Sequence, residues 1–138
     1  MIGLLLLGGY ETTTNLIAGG ALTLMEHPQQ RELMLSDAAL AQSGTEELLR
    51  YLGPADFATP RGALVLAALG SANRDESQFR DPDTLHVTRE PRRHVTSGMG
   101  AHFCVGAPLA RLEAQIALTT LFRRFPDLRS LVDSRSGR

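Results

Sequence analysis

The first 27 residues, MIGLLLLGGYETTTNLIAGGALTLMEH, are apolar on most faces of a helix and carry one polar interruption, Glu11 to Asn15. This pattern predicts a long helix buried inside a protein. Gly8-Gly9 weakens it, since each glycine costs about 1 kcal/mol relative to alanine. Thr12 to Thr14 are β-branched, and their hydroxyls can bond back to carbonyls one turn earlier. A helix loosened beside an acid and a hydroxyl suits a groove for something small, and a buried helix with a capping cluster explains the same residues. The stretch lacks a basic segment ahead of its apolar run, which argues against a secretory signal. A membrane span would have to hold Glu11 in mid-bilayer, where an ionised carboxylate is costly. No lead-in strand or cap precedes Ile2, so the chain reads as if it starts inside a helix.

Further along, Pro28 suits the first turn of a short helix over Gln29–Leu35, and Ser36-Asp37 offers a cap for the next segment. TEELLRY from Thr45 is helical in pattern and closes at Gly53-Pro54. Glu47 and Arg50 share one face of it, a spacing that by itself suits a solvated ion pair worth under about 1 kcal/mol. ALVLAALGSANRD reads as a buried segment and a turn. Asp75 to Met99 is a long irregular stretch rich in Pro, Asp and Arg, and loops of that length inside a compact domain are usually functional or disordered.

The final patterned segment is the sharpest. Pro108 stands at a helix start, and Leu109, Leu112, Ile116 and Thr120 follow at helical spacing. Just ahead, Gly98, Gly100 and Gly106 bracket Cys104 and let the backbone turn tightly and approach a ligand closely. Free amides and the dipole of the coming helix favour a thiolate there. That thiolate suits a nucleophile, a redox sensor or a metal ligand, and a single cysteine is also commonly an inert buried one. His102 lies two residues away, but no second pair completes four ligands for zinc.

Composition narrows this picture. The chain has 138 residues, 43% hydrophobic and 21% charged, which fits one ordinary domain with a core. All 14 basic residues are Arg, balanced by 15 acids to a net charge of −1, and no basic stripe invites nucleic acid. One cysteine excludes an internal disulfide.

Three pieces then align: G-Y-E-T-T at 9–13, E-L-L-R at 47–50, and G-x-G-x-H-x-C-x-G-x-x-L-A-R from Gly98 to Arg111. In this order, and through nearly all of the chain, the sequence resembles the C-terminal portion of a bacterial cytochrome P-450, a haem-thiolate monooxygenase. The resemblance implies a mainly α fold with minor β. It assigns residues 1–27 to the distal helix, 44–52 to the E-x-x-R helix, 75–99 to the meander, 98–106 to the cysteine-ligand loop and 107–125 to the proximal helix. It further implies that Cys104 ligates the iron of haem b, that Gly98, Gly100 and Gly106 shape its loop, and that His102 and Arg61 bond the haem propionates. Glu11 and Thr12 match an acid–alcohol pair that handles dioxygen and its protons. Glu47, Arg50 and Arg89 match a buried structural triad. The implied partners are a small organic substrate, dioxygen, and a ferredoxin with its reductase drawing on NAD(P)H; the implied location is the cytoplasm, with no membrane and no nucleic acid.

Departures temper the match. Family members are about three times longer, so the chain is expected to be a truncated, degenerate or partial form, cut before the distal helix. A β-hairpin is expected to be missing after Arg61. Ser97 and Leu85 stand where phenylalanines are usual, whereas Met99 and Tyr10 fall at permissive positions. Pro54 to Thr59 matches a pocket-lining segment too short to name a substrate. Two other readings stay open: a non-catalytic remnant that does not stably bind haem, and a cysteine redox or nucleophile protein unrelated to haem.

Overall fold

A computed structural model describes residues 2–53, 67–90 and 92–130. Its helices are α1 (Ile2–Glu26), α2 (Pro28–Ser36), α3 (Ala38–Leu52), a single turn α4 (Leu69–Ala72) and α5 (Ala107–Arg124), with a 3-10 turn at Gly100–His102. Among the described residues there is no strand. Arg61, the pocket-like segment Pro54 to Thr59 and the place of the expected hairpin all lie outside the described residues.

Local chemistry sets the helix ends. Pro28 opens α2, and Asp37 caps α3 by accepting from the Ala39 amide at 2.6 Å. That cap is why the helix expected over 44–52 begins at Ala38: Ala38 to Gln42 are good helix formers held by Asp37, and they carry the helix through Ser43 and Gly44. α3 ends at Gly53, in left-handed conformation, whose amide donates to Leu49 O at 3.2 Å.

α1 packs on α5 and α3, and α2 on α3. The buried side of α1 carries Thr13, Leu16, Thr23 and Leu24 at helical spacing. Gly20 lets it come close, because a Cβ there would stand 3.1 Å from Leu118 Cδ1. Leu24, Met34, Leu48, Leu85, Val87, Leu118 and Phe122 form the main core, with Leu16, Leu49 and Ala114 beside it. Leu85, in the place of a usual phenylalanine, is fully buried in that core.

Two expectations need correction. The stripe Leu109, Leu112, Ile116 is 53–59% exposed, and Thr120 is exposed as well. The core stripe of α5 is Ala114, Leu118 and Phe122, on the opposite side of the helix. Both sides are apolar, so periodicity alone could not choose between them. The described end of ALVLAALG is likewise not buried; the buried residue is Asn73, which follows it.

Leu118→Ala removes a side chain that is 1% exposed at the junction of α1, α3 and α5, and should cost about 2–5 kcal/mol in urea unfolding. Leu112→Ala should stay within about 0.5 kcal/mol, as expected for a surface change.

Candidate functional site

The site grows from one carboxylate. Glu47, on α3, is 3% exposed, and both its oxygens are taken up. Arg50 donates from Nε and Nη2 at 2.9 Å each, a two-pronged pairing that the planar guanidinium makes well. Arg89 Nε lies 3.1 Å from each oxygen, and the His86 amide donates at 3.0 Å. The solvated surface pair that the Glu47/Arg50 spacing suggests by itself is therefore replaced by a buried cluster, covered by the irregular 75–99 stretch. Arg89 also donates to the carbonyls of Arg80, Asp81 and Thr84. Arg50 Nη1 donates to the carbonyls of Asn73 and Pro82 at 2.9 Å, and its guanidinium stacks over buried Phe79. Two arginines thus hold a stretch that has no regular structure of its own.

From Arg50 the network runs toward the cysteine. Asn73, fully buried, accepts the Val95 amide at 2.8 Å and donates to Thr96 Oγ1 at 2.7 Å. Thr96 Oγ1 in turn donates to Leu49 O at 2.8 Å. The segment entering the cysteine loop is thereby pinned to the end of α3. Sequence reasoning passed over Asn73 and Thr96, because an Asn in GSANRD carries the signal of a turn, not of a buried hub.

The loop itself turns at Gly98 and Gly100, with φ of 75° and 71°, conformations costly for side-chain-bearing residues. Gly106 has an ordinary φ of −83°; a Cβ there would lie 3.8 Å from Cys104 Sγ, in normal contact. The Cys104 amide donates to Ser97 O at 2.9 Å, and its carbonyl accepts the Ala107 amide at 3.2 Å where α5 begins. Cys104 is exposed, as is His102 at the end of the 3-10 turn. Ser97 keeps the loop closed through its carbonyl, a role any residue can fill.

On α1, Thr12 is half-buried and Glu11 exposed. Thr12 Oγ1 donates to Gly8 O at 2.6 Å, the back-bonding that its position invites. One turn on, Leu16 meets Ala114 of α5, so Glu11 and Thr12 stand on the helix that packs against the one following Cys104.

A second acid of α3 works in the other direction. Glu46 accepts from Arg111 of α5 at 2.5 Å (Nε) and 3.2 Å (Nη2), and pairs with His94 Nε2 at 3.0 Å. Burial would push its carboxyl up, but hydrogen bonds from His94 and Arg111, with their charges, outweigh this and lower it to about 2. Sequence spacing points to Glu47 in E-E-L-L-R and is silent on Glu46, whose partners lie far along the chain.

Two outcomes follow. Glu47→Gln should destabilise the chain by about 3–5 kcal/mol in denaturant unfolding, since it strands two partly or fully buried guanidinium charges. A lowered native carboxyl contributes stability that is present above its unfolded value and lost as pH falls. For Glu46 that loss runs from about pH 4.5 to about pH 2. It amounts to at most about 3 kcal/mol, and Glu46→Gln should flatten that part of the stability profile.

A family model described as Cytochrome P450 matches residues 53–128. Cytochrome P450 CYP107DY1 of Priestia megaterium is 46% identical over 147 aligned positions, covering 96% of this chain and 36% of that protein. The alignment is longer than the chain's 138 residues, so the relative carries residues within the matched span that this chain lacks. Cytochrome P450 monooxygenase PikC of Streptomyces venezuelae is 42% identical, covering 93% of this chain and 34% of that protein. The solved structure of the ligand-free P450 monooxygenase TamI superimposes with a TM-score of 0.91 at 42% identity, over 99% of this chain and 37% of that one. This chain thus spans little more than a third of the length of the relatives it matches. With a family model matching more than half of the chain, relatives above 40% identity and a mainly helical fold that superimposes on solved members, the chain belongs to the cytochrome P450 family.

Proposed function

We propose that this chain supplies the thiolate-ligand side and the distal helix of a haem-thiolate monooxygenase that inserts one atom of dioxygen into an organic substrate. The observation that carries the reading is Cys104: an exposed thiol on a glycine-turned loop whose entrance is pinned by buried Thr96 and Asn73. The donor set suits a metal that brings most of its own ligands. Among the described residues no three His, Cys, Asp or Glu side chains gather into a metal site, whereas an iron held in a porphyrin needs a single soft axial ligand.

Haem b held by Cys104 supplies the oxygen chemistry. The protein's share is positional and protonic. The Cys104 thiolate would ligate the iron, on a loop shaped by Gly98, Gly100 and Gly106. His102, at the loop's exposed rim, and Arg61 would hold the propionates, a task that suits a guanidinium because it can pair with a carboxylate two-pronged. Thr12 Oγ1, which here donates to Gly8 O, would hold a proton for the oxygen chemistry, and Glu11, whose carboxyl is exposed, would exchange protons with solvent. Glu47, Arg50 and Arg89 keep the loop's base in place. Electron delivery from NAD(P)H through a ferredoxin and its reductase, and a cytoplasmic location, are what the resemblance to bacterial members implies. Among the described residues no helix is long and apolar enough to cross a membrane.

A second reading is favoured by one observation. Leu109, Leu112 and Ile116 leave an apolar side of α5 uncovered, as expected of a piece that needs further chain around it. On that reading the chain is a remnant that does not hold haem stably. Family membership weighs against a haem-free cysteine enzyme.

Haem titration of the purified chain, followed by reduction under carbon monoxide, separates these readings. A red-shifted thiolate-type band that Cys104→Ala abolishes is the expected result. A band unchanged in that variant overturns the ligand assignment, and no stoichiometric binding favours the remnant.

A further inference from the structure

Glu46 and Glu47 are neighbours on α3, and both carboxylates serve the cysteine loop. Glu47 reaches the loop's entrance through Arg50, Asn73 and Thr96. Glu46 reaches both of its flanks directly. His94 precedes the loop and Arg111 follows it, on the second turn of α5, and the same carboxylate holds the two. We propose that Glu46 is a positioning residue for Cys104: by tying His94 and Arg111 to α3 it fixes the span of the chain between them, and with it where the thiol stands.

The geometry is specific. Arg111 engages both oxygens of Glu46, so the α5 end is held in orientation as well as in distance. His94 is 5% exposed at its side chain, and its Nδ1 accepts the Thr96 amide at 3.4 Å. That contact assigns the Nε2 proton to the bond with Glu46. Spacing alone would pair Glu46 with Arg50, four residues on, but Arg50 is fully engaged with Glu47, Asn73 and Pro82 and leaves Glu46 free for the loop. α3 is the right anchor, because Leu48 and Leu49 on the next turn are buried in the core. Clamping both flanks to one rigid point removes most of the conformational freedom of the loop between them. The cysteine position follows mechanically, since the Cys104 amide and carbonyl are already bonded inside that span to Ser97 and Ala107.

This role rests on reading Cys104 as the metal ligand, but its test does not require haem. Backbone hydrogen exchange of the haem-free chain reports the loop through the amides of Gly98, Phe103 and Cys104, each bonded within it. In Glu46→Gln these three should exchange at least tenfold faster, while amides inside α3 and α5 change less than twofold. Arg111→Lys keeps the charge and loses the two-pronged grip, and should give the same local pattern with a smaller amplitude; it stands in if Glu46→Gln fails to fold. Unmoved loop amides, or equal acceleration throughout the chain, would overturn the proposal, the latter by making Glu46 a prop of the whole fold. Haem titration of the unaltered chain is scored separately: a missing thiolate band removes the ligand role of Cys104, and the exchange pattern still decides whether Glu46 sets its loop.

Discussion

The buried carboxylate of Glu47 is the constraint on which the rest of the structure depends. An ionised group removed from water must have its lone pairs occupied, and Arg50 on the same helix, with Arg89 and the His86 amide from the irregular stretch, do this. The arginines in turn need acceptors, and they find them in the carbonyls of residues 73, 80, 81, 82 and 84. A long stretch without helix or strand is thereby as determined in path as a regular element. Asp81, at a φ of 49°, shows how tightly it is held, since that left-handed conformation is unusual outside glycine.

The order imposed there is passed to the cysteine by hydrogen bonds in place of apolar packing. Val87 and Leu85 anchor the same stretch in the core, while Gln30 and Ser43 bond the Val87 backbone from α2 and α3. The loop carrying Cys104 is different: Met99, Phe103, Cys104 and Val105 are all exposed. A side chain proposed to meet a ligand must stay open, so its position has to be set from below, by polar contacts to buried groups. Paired acids on one helix, Glu47 reaching the loop's entrance and Glu46 both of its flanks, suit that requirement.

α5 shows the other face of the same economy. It buries Ala114, Leu118 and Phe122 and presents Leu109, Leu112 and Ile116 outward. A helix apolar on two opposite sides suits a place between two packed layers. The relatives matched are nearly three times as long as the aligned portion, which agrees with a core that extends beyond this chain.

The sequence by itself determined α1, α2 and α5 as helices, the proline and aspartate starts of α2 and α3, the glycine turns at 98 and 100 and the family resemblance. These depend on residues close together in the chain, whose backbone preferences act locally. It did not determine which apolar stripe of α5 faces the core, nor that Asn73, Thr96, Glu46, His94 and Arg111 frame the cysteine loop, and the burial of Glu47 and Arg50 was legible through the resemblance but not through their spacing. Burial and pairing depend on what lies opposite. The partners of Glu46 stand 48 and 65 residues away, and those of Asn73 some 22 or 23. Only the tertiary structure brings such groups within hydrogen-bond reach, because the energy of a polar contact is set by distance and desolvation and leaves no periodic mark on the chain.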